Sequence, residues 1–161
     1  MTDAVAQLLP LFPAVPLIAA AFALLAPWRA VRDSIMLIIP GIGIFAGLGL
    51  LMYTMNNGVV AHTVGLYQGN VGIPFAADAF SALMIITTMI VAFGANWFAI
   101  AGGETKSRFY PSLTLILITG VCGALLTADL FNFFVFIEVM LLPSYGLITM
   151  SGTWSRLAAG R

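Results

Sequence analysis

One carboxylate, Glu138, lies near the middle of an apolar stretch that is long enough to cross a lipid bilayer. The stretch runs Asp129-Leu-Phe-Asn-Phe-Phe-Val-Phe-Ile-Glu138-Val-Met-Leu-Leu-Pro143-Ser-Tyr145. Glu138 is nine residues past Asp129, about 13 Å along a helix, which is close to the membrane midplane. An ionisable group at that depth costs several kcal/mol and usually marks an ion or proton route. We therefore expect Glu138 to load and release protons.

The residues around Glu138 predict a shared helix face and a weakened turn. Apolar and aromatic side chains fall on its face by the three-and-four spacing of a helix, namely Phe131, Phe134, Leu141, Leu142 and Tyr145. Pro143 removes the donor that would bond the carbonyl of Val139, so a kink or loosened turn is expected beside the acid. The freed carbonyl, with Ser144 and Tyr145, could hold water on a proton path.

Each of these residues also has a structural interpretation. Glu138 could instead pair with an Arg or Lys of another helix and serve only packing. No basic residue of this chain lies at membrane depth, so any cationic partner must come from elsewhere. Asp129 precedes a helix and is expected to cap its free N–H groups. Pro143, Tyr145 and Asp129 are the candidate supporting residues for Glu138.

The composition predicts a membrane protein. Of 161 residues, 61% are hydrophobic and 7% charged, and the mean hydropathy is +1.08, whereas a soluble domain has about 25% charged residues. A formal net charge of zero argues against a nucleic-acid partner, since phosphate binding draws on clustered Lys and Arg. Cys122 has no second cysteine to pair with, and neither a Gly-rich phosphate loop nor a His and Cys cluster indicates a cofactor or metal.

About five apolar segments are long enough to span a bilayer, which predicts an all-α, polytopic transmembrane helix bundle. They cover roughly residues 8–27, 34–55, 79–101, 109–127 and 130–150, and each matches a hydrocarbon core of about 30 Å. We treat residues 1–161 as a single transmembrane domain. The N-terminus has no positive region ahead of its apolar run, so we expect no cleavable signal peptide.

The basic residues predict the orientation of the bundle. All six fall in loops or ends that lie on one side of the predicted spans: Arg29, Arg32, Lys106, Arg108, Arg156 and Arg161. Under the positive-inside rule that side is cytoplasmic. The N-terminus and the loop of residues 56–78 would then lie outside, and the C-terminus would be cytoplasmic. Turn formers in this loop predict a short extended or hairpin element against the bundle.

Small and polar residues predict how the helices pack. Gly43 and Gly47 have the small-xxx-small spacing that allows close backbone approach. Gly120 and Gly123 offer a similar surface to a neighbour, which we expect to be the fifth helix. Asp78 is expected to cap the third span. Candidates for interhelical hydrogen bonds in that span are Thr87, Thr88 and Asn96.

Two blocks of sequence carry a resemblance to a known family. The first begins at Arg108-Phe-Tyr-Pro111 and continues from Gly123-Ala-Leu-Leu-Thr127-Ala to the Glu138 stretch, and the second is Tyr67-Gln-Gly followed by Gly72-Ile-Pro-Phe-Ala-Ala-Asp78-Ala-Phe-Ser81-Ala-Leu-Met84. Both resemble the D subunit of the multisubunit Mrp-type cation/proton antiporters. That family is related to the antiporter-like subunits of respiratory complex I and membrane-bound hydrogenases.

The resemblance implies a fourteen-helix protein in which a fifth-helix glutamate pairs with a lysine on the seventh helix. Only the glutamate maps onto this chain, at Glu138. The chain would then be the N-terminal portion of a longer subunit, or one piece of a split one, in a bacterial inner membrane. Its partners would be the other subunits of a hetero-oligomeric antiporter, the lipid bilayer, protons and Na⁺.

Three functions follow as hypotheses. The first is a secondary transporter subunit, not an enzyme, that exchanges protons for sodium with Glu138 as the proton-loading group. The second is a proton-pumping membrane subunit of a complex I-like or hydrogenase-type oxidoreductase. The third is a membrane scaffold in which Glu138 only anchors a neighbouring helix.

Overall fold

Six α-helices, one short 3₁₀ helix (Glu104–Lys106) and one β-hairpin make up the computed structural model, which describes residues 2–65 and 72–150. The helices are α1 (Thr2–Leu8), α2 (Leu11–Leu25), α3 (Arg29–Asn57), α4 (Ala79–Gly102), α5 (Tyr110–Leu126) and α6 (Leu130–Thr149). Within these residues, four helical stretches have the length and hydropathy of membrane spans: Ala4–Leu25, Arg29–Asn57, Ala79–Gly102 and Leu130–Thr149. α5 is a shorter apolar helix of 17 residues. The predicted transmembrane helix bundle is confirmed.

The first span is broken near its start, and the second is longer than predicted. Pro10 and Pro13 remove two backbone donors. At the break between α1 and α2, two backbone N–H groups bond the carbonyl three residues back instead of four: Leu9 N donates to Ala6 O and Phe12 N donates to Leu9 O, both at 3.2 Å. α3 begins at Arg29 rather than near residue 34. Hydropathy marks where the hydrocarbon begins, whereas helical hydrogen bonding continues into the polar interface.

α5 is the central helix and α6 lies at the edge. α5 packs against α2 and α6, while α3 pairs mainly with α4. Most of α5 is buried, but the only buried residue of α6 is Pro143. The two helices that carry the family-like block therefore lie side by side, with α6 presenting most of its surface outward.

Glycines allow the closest helix contacts, as the sequence predicts. A Cβ built on Gly120 would lie 2.8 Å from the backbone nitrogen of Met140, and one built on Gly123 would overlap the Phe136 ring. At the α3 and α4 contact, a Cβ on Gly43 would lie 2.6 Å from the Met89 sulfur. Real Cβ atoms do not approach so closely. The two α5 contacts require glycine, because backbone atoms or an aromatic ring occupy the space, whereas the flexible Met89 side chain can shift at Gly43.

The predicted hairpin is confirmed at the end of the bundle where α5 and α6 meet. Strands β1 (Val60–Val64) and β2 (Ile73–Ala77) pair antiparallel. The buried Phe75 ring lies 6.4 Å from the Phe136 ring, and Ala128 N donates a 3.0 Å hydrogen bond to Pro74 O. The hairpin therefore holds the turn that leads into α6.

Both predicted aspartate caps are confirmed. Ser81 N donates to the Asp78 carboxylate at 2.7 Å, and Asn132 N donates to the Asp129 carboxylate at 2.9 Å. The hydrogen bond from Ser81 N is the main reason that the pKa of Asp78 is lowered. Each cap satisfies a backbone donor at a helix start, where the helix itself offers no acceptor.

Of the three polar residues predicted to join helices, only Asn96 does so. Asn96 is fully buried, and its Nδ2 donates to Met36 O in α3 at 3.0 Å. The prediction is wrong for Thr87 and Thr88, whose hydroxyls donate to carbonyls one turn earlier in α4. A threonine in a helix reaches that carbonyl without help from a neighbour, so its hydroxyl is satisfied locally.

Candidate functional site

Glu138 lies on the exposed side of α6, in the middle third of the helix. In residues 2–65 and 72–150 its carboxylate makes neither a hydrogen bond nor an ion pair, and the one ion pair there joins Arg29 to Asp33. The opposite side of α6 packs on α5 through Gly120 and Gly123. Glu138 therefore points away from the part of the bundle that the structure describes.

A continuous apolar surface surrounds Glu138 on this side, as the helical spacing predicts. We call it the Glu138 face, and its exposed members are Phe131, Phe134, Glu138, Leu142 and Tyr145. Leu142 is 72% exposed and Tyr145 is 50% exposed. A carboxylate facing lipid tails at this depth would be costly. The Glu138 face therefore has the chemistry of a surface covered by protein rather than by lipid.

Pro143 and Tyr145 lie on different sides of α6. Pro143 is five residues past Glu138, about 140° around the helix, and it is buried. Tyr145 is seven residues past Glu138 and returns to the same face. The helix continues through Pro143 to Thr149, and Ser144 Oγ donates to Leu141 O at 2.7 Å. Tyr145 is thus the supporting candidate that shares a surface with the acid.

Asp129 is separated from Glu138 by more than two helical turns. Its carboxylate accepts from Asn132 N at the start of α6, while Glu138 lies about 13 Å further along the helix. The sequence names both residues as site candidates. The structure does not bring them together, and Asp129 acts where the hairpin meets the bundle.

The described basic residues lie at one end of the bundle, away from Glu138. Arg29 bonds Thr105 in the loop after α4, and Arg108 bonds Leu24 at the end of α2, so the two basic loops meet. Gly146 of α6 packs on Leu113 near this end, eight residues or about 12 Å beyond Glu138. The common location predicted for the basic residues is confirmed for four of them, and Arg156 and Arg161 lie outside the described residues.

One feature of this basic end was not predicted from the sequence. The Arg32 side chain is buried, with 8% of the residue exposed. Its position one turn into an apolar helix is the sequence feature that points to burial. The burial itself depends on loops that are distant in sequence. Other chemically active groups are sparse: in the described ranges no three His, Cys, Asp or Glu side chains cluster as metal ligands, and Cys122 is a buried free thiol.

The chain is similar to known antiporter subunits, although no protein-family model matches it. It is 38% identical over 149 residues to the D subunit of the Na⁺/H⁺ antiporter of Alkalihalophilus pseudofirmus, covering 86% of this chain and 29% of that relative. It is 39% identical over 108 residues to the corresponding D subunit of Bacillus subtilis, covering 65% of this chain and 22% of that relative. The chain thus spans less than a third of the length of these curated relatives.

Solved structures share the fold. The Mrp complex from Dietzia sp. DQ12-45-1b contains a chain that is 42% identical, with a TM-score of 0.91 over 97% of this chain and 30% of that one. A chain of the membrane-bound sulfane sulfur reductase, an archaeal respiratory membrane complex, matches with a TM-score of 0.82 at 23% identity. The second likeness shows the fold alone.

The fold places the chain in the class of multi-pass membrane helix bundles. Within that class, the chain is similar to the N-terminal part of the D subunit of Mrp-type Na⁺/H⁺ antiporters. The resemblance predicted from the sequence is therefore confirmed.

Proposed function

We propose that the chain is the N-terminal part of the D subunit of a multisubunit Na⁺/H⁺ antiporter in a bacterial cell membrane, and that Glu138 carries protons in it. The observation that carries this proposal is the outward position of Glu138 in a chain 38% identical to the D subunit of a Na⁺/H⁺ antiporter. The chain acts as part of a transporter rather than as an enzyme. Its basic end faces the cytoplasm, as the positive-inside rule favours.

Glu138 works as one half of an ion pair whose other half lies beyond this chain. A buried carboxylate next to a cation is favoured in its charged form, and moving the cation away favours the protonated acid. The partner is a lysine of a later helix, which covers the Glu138 face. Breaking and remaking this pair changes the proton affinity of the acid, which couples proton uptake to movement of the second ion.

Sodium-driven proton exchange should be measured in everted vesicles that contain the complete complex with Glu138→Gln. The amide keeps the size of the side chain but cannot be ionised. We expect exchange to fall by at least about 100-fold, the range typical of a lost proton-transfer group. Glu104→Gln is the matched control, because Glu104 is an exposed carboxylate at the basic end, and it should exchange normally.

The amount of assembled complex in the same membranes separates transport from scaffolding. Normal assembly with lost exchange supports the role assigned to Glu138. Normal exchange in the Glu138→Gln complex would contradict it. Reduced assembly, with normal exchange by the complexes that do form, would instead assign Glu138 to helix anchoring.

A further inference from the structure

Two arginines connect the turn between α2 and α3 to the loop between α4 and α5. Arg29 Nη2 donates to Thr105 Oγ1 at 2.9 Å, and Arg108 Nε donates to Leu24 O at 3.0 Å. Thr105 is fully buried, and it also contacts Asp33 Oδ2 at 3.3 Å, which lies 3.4 Å from Arg29 Nε. These contacts hold both arginines on one surface at the end of the bundle.

Arg32 adds an unneutralised cation to this surface. Its Nε is buried and has no hydrogen-bond partner among the described residues. Its two Nη atoms make no hydrogen bond to the described residues and are not among the buried unpaired atoms. A guanidinium with its stem buried and no anionic partner is unfavourable. An anion is therefore expected to approach this guanidinium.

No described carboxylate forms an ion pair with Arg32. Its six acidic residues are Asp3, Asp33, Asp78, Glu104, Asp129 and Glu138, and none falls in residues 66–71 or 151–161. Among the described acidic side chains, only Asp33 and Glu104 lie at the basic end, against four described cations. Arg29 and Thr105 engage Asp33 through Oδ2, and its Oδ1 is buried without a partner. The anion that neutralises Arg32 is therefore expected from outside the described residues, in another molecule or in a later part of a longer chain.

Exposed aromatic residues flank the arginines. Trp28 precedes Arg29 and is 71% exposed, and Phe109 follows Arg108 and is 60% exposed. Aromatic rings concentrate where lipid headgroups meet acyl chains, because one part of the ring is apolar and, in Trp, the N–H stays near water. The surface thus combines cations with groups suited to the lipid interface.

We propose that this surface, which we call the arginine patch (Trp28, Arg29, Arg32, Arg108 and Phe109), binds the phosphate of an anionic phospholipid. A planar guanidinium matches two phosphate oxygens, and basic pockets between membrane helices favour anionic headgroups. The flanking rings lie beside the acyl chains of the same lipid. These rings favour a lipid over an acidic segment of another subunit and over free phosphate.

Fluorescence quenching of Trp28 tests this proposal. The complete membrane complex is reconstituted in phosphatidylcholine vesicles with equal mole fractions of brominated phosphatidylglycerol or brominated phosphatidylcholine. The signal of Trp28 is the difference between the wild type and Trp28→Phe. We expect stronger quenching by the anionic lipid, and a preference about fivefold weaker in Arg32→Gln, as expected for loss of one interfacial cation.

Trp97 is the matched control. It is 62% exposed on α4 and lies outside the arginine patch, so its signal, isolated with Trp97→Phe, should be quenched equally by both lipids. Equal quenching of Trp28 by the two lipids in the wild type would overturn the proposal. Relief of the anionic quenching by added inorganic phosphate would overturn the lipid assignment, because it would identify a free-phosphate site.

Discussion

At the scale of single residues, Glu138 and Arg32 present the same physical problem in different places. Each carries a charge that the described residues do not neutralise, Glu138 on an edge helix and Arg32 in the buried interface of α3. A charge in a low-dielectric setting persists when its partner arrives from outside. Both residues therefore indicate contacts with other molecules or with later parts of a longer chain.

Asp78 gives a residue-scale prediction with a defined pH dependence. Removing its cap in Asp78→Ala should lower the free energy of unfolding by about 1 kcal/mol at neutral pH. Because the pKa of Asp78 is lowered in the folded protein, the carboxylate stabilises the fold at pH values above its ordinary value of 3.8. This stabilisation is lost as the pH falls below 3.8 through the folded value.

Thermal unfolding of the wild type and variants across this pH range checks the prediction. The difference between the wild type and Asp78→Ala should narrow on acidification. Asp78→Asn is the control, since its amide oxygen can still accept from Ser81 N but does not titrate in this range. A difference between wild type and Asp78→Ala that grows as the pH falls would contradict the charge-assisted cap.

At the scale of elements, the contact between α5 and α6 determines where Glu138 points. Gly120 and Gly123 let α6 approach until Met140 and Phe136 lie against the α5 backbone. That contact fixes the rotation of α6 and turns the Glu138 face outward. A change of rotation would move the acid relative to any partner helix without altering the acid itself.

Gly120→Val should disrupt this contact strongly. Its new Cβ would meet the backbone of both Met140 and Phe136, and backbone atoms cannot move aside as a side chain can. Overpacking of a tight contact costs about 1 to 3 kcal/mol, measured as a lower free energy of unfolding, and should reduce exchange with Glu138 intact. Gly49→Ala is the control, because its added Cβ has no neighbour within 4 Å. Equal stability of the two variants would show that α6 is not held by this contact.

Sequence patterns predicted the local features of these elements better than their arrangement. The caps at Asp78 and Asp129, the hairpin and the glycine contacts all follow from residue chemistry at short range. The rotation of α6 did not follow from the sequence. Helix surfaces that face lipid and those that face protein are both apolar, so hydrophobic periodicity is weak in a membrane. The burial of Arg32 did not follow either, because it depends on how the α3 start packs against distant segments.

At the scale of the whole molecule, different contacts hold the two ends of the bundle. The hairpin covers the end where α5 turns into α6, through Phe75 and Pro74. At the basic end, Thr105 joins the loop after α4 to Arg29 and Asp33 at the start of α3. α3 pairs with α4, while α5 joins α2 to α6. The end contacts therefore help to hold the α3 and α4 pair in place against the set of α2, α5 and α6.

Thr105→Val should loosen the basic end of the whole molecule. Valine matches the shape of threonine but leaves Arg29 without one of its acceptors and Asp33 without one of its donors, at a position that is fully buried. Loss of a buried hydrogen-bonding partner costs about 1 to 3 kcal/mol.

Thr87→Val is the control, because Thr87 is exposed and bonds only its own helix. Thermal unfolding together with limited proteolysis of the loop after α4 should show a lower transition temperature and faster cleavage for Thr105→Val than for Thr87→Val. Equal effects of the two variants would mean that helix packing alone holds this end together, and that the arginines are free to move independently of Thr105.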